Sequence, residues 1–271
     1  MNNLETVKPP AFEEMKIDGL TQATIELKPE ARLFDLGDIH IPEHKTTFLQ
    51  RDLYFLAKDA RNQAMLGGDL INAESLAPFP SQPKNTLMQI EGEMEMLLDQ
   101  VVNKVGAQIS MVVWGNHEER LFRKEKSTID ILSGHLSIKE RITRLNPSAT
   151  VADLYRGIMG FVTCGSQEYK IYIAHGLGHL RHMYWSEFDR AREVFPNMDI
   201  YVLHHAHQYN FQVHRWINPN KTLGRALYIR GGTYTPYMPY MEKMLLPPAE
   251  LGAITLKFHP RKHRITFQFS R

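Results

Sequence analysis

Five short apolar runs along the chain each break off into polar residues: "ARLFDLGDIH", "NQAMLGGDLIN", "ISMVVWGNHEER", "YKIYIAHGLGH" and "MDIYVLHHAHQ". Runs of this kind, bounded by turn signals, predict strands. Helix-like segments separate most of them: "TTFLQRDLYFLAKDARNQ" before the second, "TLMQIEGEMEMLLDQVVNKVG" before the third and "RHMYWSEFDRAREVF" before the fifth. Strands alternating with helices constrain the chain to an α/β architecture. "RALYIRGGTY", "AITLKFHP" and "HRITFQFS" predict further strands, the last two as an antiparallel hairpin through "HPRKH". The expected fold is a layered α/β sandwich of mixed, largely parallel β-sheets flanked by helices. No linker, repeat or low-complexity tract divides the sequence, so residues 29–271 read as a single domain and residues 1–28 as a peripheral N-terminal arm.

Composition narrows the setting more than the function. At 271 residues, 43% hydrophobic and 23% charged, the chain can bury a sizeable core. A formal net charge of +2 makes no electrostatic case for or against nucleic acid. Cys164 is the only cysteine, which excludes an intrachain disulfide. The opening "MNNLETVKPPAFEEMK" lacks the apolar core of a signal peptide, and no apolar run approaches the roughly 18 residues that span a bilayer. The expectation is a cytoplasmic protein with no membrane partner.

Chemistry concentrates at the run ends. In an open α/β sheet the ligand site lies outside the carboxyl ends of the strands. Those ends carry Asp38 and His40, Asp69 and Asn72, Asn116 and His117, His175, then His205 and His207. Carboxylates, imidazoles and an amide oxygen suit manganese, iron, zinc or nickel, and the lack of a thiolate argues against a zinc finger. The groups outnumber what one ion needs, which suggests two divalent ions. Strand alternation puts His205 and His207 on one face and turns His204 and Ala206 away from it. Taken singly each residue is an ordinary turn former; taken together they are a ligand set.

The ordered series "GDIH", "GGDLIN", "GNHE", "AHG" and "HHAH" resembles the motifs of the calcineurin-like metallophosphoesterases, over about residues 31–235. "GDLIN", the Arg after "GNHE", the "HGxG" turn and the "DIY" strand are similar to phage and prophage-type members, which would place the protein in a host cytoplasm. The resemblance implies that Asp38, His40 and His207 hold one ion, that Asn116, His175 and His205 hold a second, and that Asp69 bridges them. It implies that His117 binds no metal and stabilises the transition state or donates a proton. A water bridging two divalent ions loses its proton near neutral pH and serves as the nucleophile. The family's last motif begins with Gly where this chain has His204, which could add an outer hydrogen bond.

The function implied is two-metal phosphoester hydrolysis. Phosphodiesterase or nuclease action comes first, with manganese as the metal and DNA or a nucleotide as substrate. Phosphomonoesterase or nucleotide pyrophosphohydrolase action is the alternative, and a metal-binding scaffold without catalysis is a third reading. Arg120 could orient a substrate phosphate or pair with Glu118. Asn72 could contact substrate or support the turn that presents Asp69. The basic run "RLFRKEK" and the aromatics of "HMYW" and "TYTPYMPY" could line a groove for nucleic acid. The sequence leaves the oligomeric state open.

Overall fold

Twelve strands fall into two six-stranded mixed sheets among the residues that the computed structural model describes: 21–73, 86–118, 138–153, 156–176, 185–218, 220–236 and 248–270. The strands are β1 Thr21–Leu27, β2 Arg32–Leu36, β3 Gln63–Gly67, β4 Ile109–Val113, β5 Thr150–Val151, β6 Ile158–Cys164, β7 Gln167–Ala174, β8 Ile200–Leu203, β9 Asn210–Ile217, β10 Leu223–Arg230, β11 Ile254–Phe258 and β12 Ile265–Phe269. The first sheet runs β1-β6-β7-β8-β10-β9 and the second β12-β11-β2-β3-β4-β5. Six of the ten pairings are parallel, so the expected mixed, largely parallel sandwich is the one observed.

Side-chain alternation builds the layers. Met111 and Val113 of β4 pack between the sheets with Leu33, Met65, Ile200, Val202, Leu227 and Ile229, whereas Val112 faces outward. A strand covered on both faces loses the polar half of its pattern, which is why "ISMVV" reads as a continuous apolar run. Outside the second sheet lie α1 Thr46–Ala57, α2 Thr86–Leu97 and a helix over residues 138–145. In α1 the buried positions are Leu49, Asp52, Leu53 and Leu56, the spacing of one helical face. The long helix expected through residue 106 instead passes from α2 into a π-helical turn, Leu98–Val102. Outside the first sheet lies α3 Ser186–Val194, whose Phe188 stacks on Tyr228. The result is helix, sheet, sheet, helix.

The observed strand set differs from the expected one. Thr21–Leu27 is no peripheral arm: it pairs in parallel with β6 and buries Ala23, Ile25 and Leu27 between the sheets. Its alternation, "TQATIEL", is that of a strand with one face in the core. Likewise β9 went unforeseen because it is an edge strand exposed along most of its length.

Asp52, the one charged residue in the apolar stripe of α1, ties three parts of the chain to the strand ends. Its Oδ2 accepts from Tyr234 Oη at 2.9 Å, Ala253 N at 2.8 Å and Ser270 Oγ at 2.9 Å. Burial and that carboxylate hold the Tyr234 hydroxyl well above its ordinary pKa, as a donor. Tyr234 N in turn donates to the Asp38 carbonyl at 3.0 Å. Asp52→Ala should therefore cost about 2–4 kcal/mol, given roughly 1–3 kcal/mol for each buried donor left unpaired. Denaturant unfolding of the variant checks this; a loss under about 1 kcal/mol would show that water replaces the carboxylate.

Candidate metal centre

All of the predicted ligands converge at the seam where the carboxyl ends of both sheets meet. The second sheet supplies Asp38 and His40 after β2, Asp69 after β3, and Asn116 and His117 after β4. The first supplies His175 after β7 and His205 and His207 after β8. Asp38, His40, Asp69, His205 and His207 have φ of 50°, 55°, 48°, 74° and 55°, the left-handed region that non-glycine residues seldom enter. Such residues cost roughly 1–3 kcal/mol each and persist where their surroundings over-determine them. Here parallel loops do so: Asp38 N donates to Gly68 O, His40 N to Asp69 O and Ile41 N to Leu70 O. His205 and His207 thus reach the same cluster through left-handed turns beyond β8, not through the strand alternation expected of them.

The donors form two groups that share one oxygen. In the first, His40 Nε2 and His207 Nε2 lie 3.1 Å apart, with Asp38 Oδ1 at 3.6 Å from His207 Nε2 and 4.0 Å from His40 Nε2. In the second, His175 Nε2 lies 3.0 Å from Asn116 Oδ1, 3.1 Å from His205 Nδ1 and 3.1 Å from Asp69 Oδ2. That same Asp69 oxygen is 3.8 Å from His40 Nε2. His117 Nε2 is also 3.8 Å from it.

These atoms fit a pair of cations better than a hydrogen-bond network. Asp38 Oδ1 is buried and has no hydrogen-bond donor among the described residues. His175 Nδ1 donates to the Gly67 carbonyl at 3.0 Å, which leaves Nε2 facing three acceptors. Ligands about 2.1 Å from one ion stand roughly 3.0–3.4 Å apart between right and tetrahedral angles, the range of the second group.

The electrostatics follow from burying two carboxylates among imidazoles. Burial alone would raise Asp38 and Asp69, yet the surrounding histidines hold both well below the carboxylate range. Burial pulls His175 down, but Asp69 and Asp38 lift it to about 10. Burial and the neighbouring His175 push His205 to about 4. Positive charge demanded by the carboxylates thus falls on His175, a ring that would be a ligand, so metal binding there would release a proton.

Three supporting residues hold this set in place. Glu118, only 1% exposed, accepts from the backbone N–H groups of Asp69, Leu70, Ile71 and Gly115 at 2.7–3.0 Å. Burial and the Asp69 charge raise it to about 7 against those donors. It locks the Asp69 loop to the Asn116 turn, a role its place in "GNHE" did not disclose. A Cβ on Gly115 would stand 2.0 Å from Asp69 Oδ1, so only glycine lets the two turns meet. Arg230 closes the far side: it donates to the His204 carbonyl at 3.0 Å and to Glu187 at 2.8 Å.

The remaining candidates divide. The Asn72 carbonyl accepts from His117 Nδ1, so Asn72 orients His117 through its backbone. His204, expected to turn away, is fully buried beneath the ligands, with Nε2 2.9 Å from Asp35 Oδ1. Burial lowers it, but Asp35 and Asp38 raise it to about 9. Of the aromatics assigned to a groove, Trp185 packs near Phe188 and Tyr228, and Tyr234 is buried against Asp52. Arg120 and the "RLFRKEK" run lie outside the described residues. No helix among the described residues is long and apolar enough to cross a membrane.

No protein-family model matches the chain, and no curated protein matches it in sequence. Among solved structures it is similar to zinc-complexed Vps29 from Entamoeba histolytica, at 14% identity and a TM-score of 0.39, over 88% of this chain and 97% of that one. It is similar to a predicted phosphoesterase from Streptococcus pneumoniae, at 12% and 0.37, over 88% and 89%. A metallophosphoesterase from Sphaerobacter thermophilus matches at 12% and 0.39, over 89% and 88%. These likenesses are loose, and the chemistry is read from the chain's own side chains.

Because Asp69 Oδ2 borders both groups, Asp69→Asn should lower the content of two metal ions together. His40→Ala should empty mainly the first group and His175→Ala the second. Metal analysis of the purified variants decides; unchanged occupancy in Asp69→Asn rules out a shared ligand.

Proposed function

We propose that the chain is a two-metal phosphoester hydrolase, acting on phosphodiesters of nucleic acid or nucleotides ahead of phosphomonoesters, with manganese as the first candidate metal. The observation that carries this reading is the single Asp69 oxygen set between two buried His/Asp groups. Asp38, His40 and His207 would hold one ion and Asn116, His175 and His205 the other. A bound pair supplies Lewis-acid charge to the phosphoryl oxygens and to an attacking water.

The chain's own residues do the rest. His117 is fixed through Nδ1 on the Asn72 carbonyl, which turns Nε2 toward Asp69 and the ligand cluster. From there Nε2 can carry a proton to a leaving oxygen or a hydrogen bond to the phosphoryl group. Glu118 spends its oxygens on backbone N–H groups, so Asp38 and Asp69 are the carboxylates that face the cluster. Two carboxylates and one hydroxide against two divalent ions would leave a single formal positive charge, which favours an anionic phosphoester and matches the single charge of a diester. The phage-type likeness of the motifs remains part of this reading and is carried by sequence alone.

The comparison that tests it is turnover of bis-p-nitrophenyl phosphate and single-stranded DNA against p-nitrophenyl phosphate and a phosphopeptide, with manganese present. Preference for the monoesters would replace the diesterase with a phosphatase. No turnover of any of them with both metals bound would make the chain a scaffold. His117→Asn should keep both ions and lose ~10²–10⁴-fold in rate, the usual contribution of a positioned proton donor. Parental activity in that variant would remove His117 from the chemistry.

A further inference from the structure

Three inward positions at the top of the inter-sheet layer are glycine. Gly37 extends the inward row of Leu33 and Asp35 on β2, Gly67 that of Met65 on β3, and Gly231 that of Leu227 and Ile229 on β10. Among them stands the side chain of His204, which extends the inward row of Ile200 and Val202 on β8. A Cβ on Gly37, Gly67 or Gly231 would stand 2.2, 2.1 or 2.2 Å from its ring. The three glycines are a cradle the shape of one imidazole.

An apolar side chain would fill that space without the cost of burying a polar pair. Instead the ring meets Asp35, a carboxylate in the dry layer, at 2.9 Å through Nε2. Its other nitrogen, Nδ1, faces Asp38 Oδ2 at 3.6 Å. That oxygen also accepts His205 N at 3.0 Å, and the Asp38 carbonyl accepts Thr233 Oγ1 at 2.8 Å and Tyr234 N at 3.0 Å. Every acceptor of Asp38 is therefore occupied or faced from below except Oδ1, which is turned to His40 and His207.

We propose that His204 is a positioning residue of the first metal site: anchored on Asp35 and held by the glycine cradle, it fixes Asp38 so that one oxygen alone is offered to the ion. The proposal rests on the two-metal reading. Carboxylates that ligate metal are themselves held by outer partners, and loss of such a partner typically costs ~10–100-fold in metal affinity.

Calorimetric titration of the metal-stripped full chain with manganese(II) tests it, the two binding events being assigned with His40→Ala and His175→Ala. In His204→Gly the event that His40→Ala removes should weaken by ~10–100-fold while the other stays at its parental affinity. Free imidazole, which fits the cradle, should restore the weakened event. Thiophene, a ring of similar shape without an N–H, should raise the melting temperature without restoring it. Asp35→Asn, which keeps the anchor's shape, should weaken the same event if His204→Gly does not fold. Parental affinity at both sites in the foldable variants overturns the proposal, as does recovery with thiophene equal to that with imidazole, which would make the ring a space filler. A parent chain that binds no manganese overturns the two-metal reading and this proposal with it. A parent that binds two ions, beside an unaffected His204→Gly, overturns this proposal alone.

Discussion

Two carboxylates, Asp38 and Asp69, are driven out of water at the seam of the two sheets, and the surrounding structure is arranged to make that tolerable. Desolvating such groups is expensive unless charge and hydrogen bonds replace the lost water. The replacement comes in rings around them: histidines on the open side, backbone N–H groups at the turns, and a third carboxylate, Glu118, that organises those turns without facing the cluster. The strained left-handed residues belong to the same account. They bend the chain sharply at the strand ends, so that short loops rather than long excursions bring each donor to one point.

Support for the ligands is distributed, not local. Asp38 is held from the side by the 233–235 strap and from the neighbouring loop after β3 by Gly68, with His204 lying beneath it. The strap is in turn fixed through Tyr234 to Asp52 on α1, and Asp52 to Ser270 after the last strand. A helix on one outer layer and the end of the chain thereby reach the ligand cluster through hydrogen bonds alone.

Strand ends and the residues that converge there were legible because each is a local pattern: an apolar run followed by Asp, Asn or His. The sandwich itself was readable from the alternation of strands and helices. What escaped depended on register between distant strands. Asp35 looks like an ordinary strand residue until β2 is placed opposite β8, and His204 looks like a turn residue until the glycines of three other strands are set around it. β1 escaped for a different reason. Its alternating pattern is weaker than a fully buried run, and it lies beyond a polar stretch that invites dismissal as an arm. Glu118 sat inside a recognised motif, yet its four backbone donors come from two loops about fifty positions apart.

The division of the ligands between sheets has a mechanical meaning. Asp38 and His40 come from one sheet and their partner His207 from the other. Asp69 and Asn116 face His175 and His205 across the same seam. Neither sheet holds a complete set for either group. Sliding one sheet past the other by a single residue, about 3.3 Å, would dismantle both groups at once. The cluster thus works as a clasp whose closure reports that two independently hydrogen-bonded sheets have docked in one alignment, and a chain with either sheet misplaced would have nowhere to put a cation.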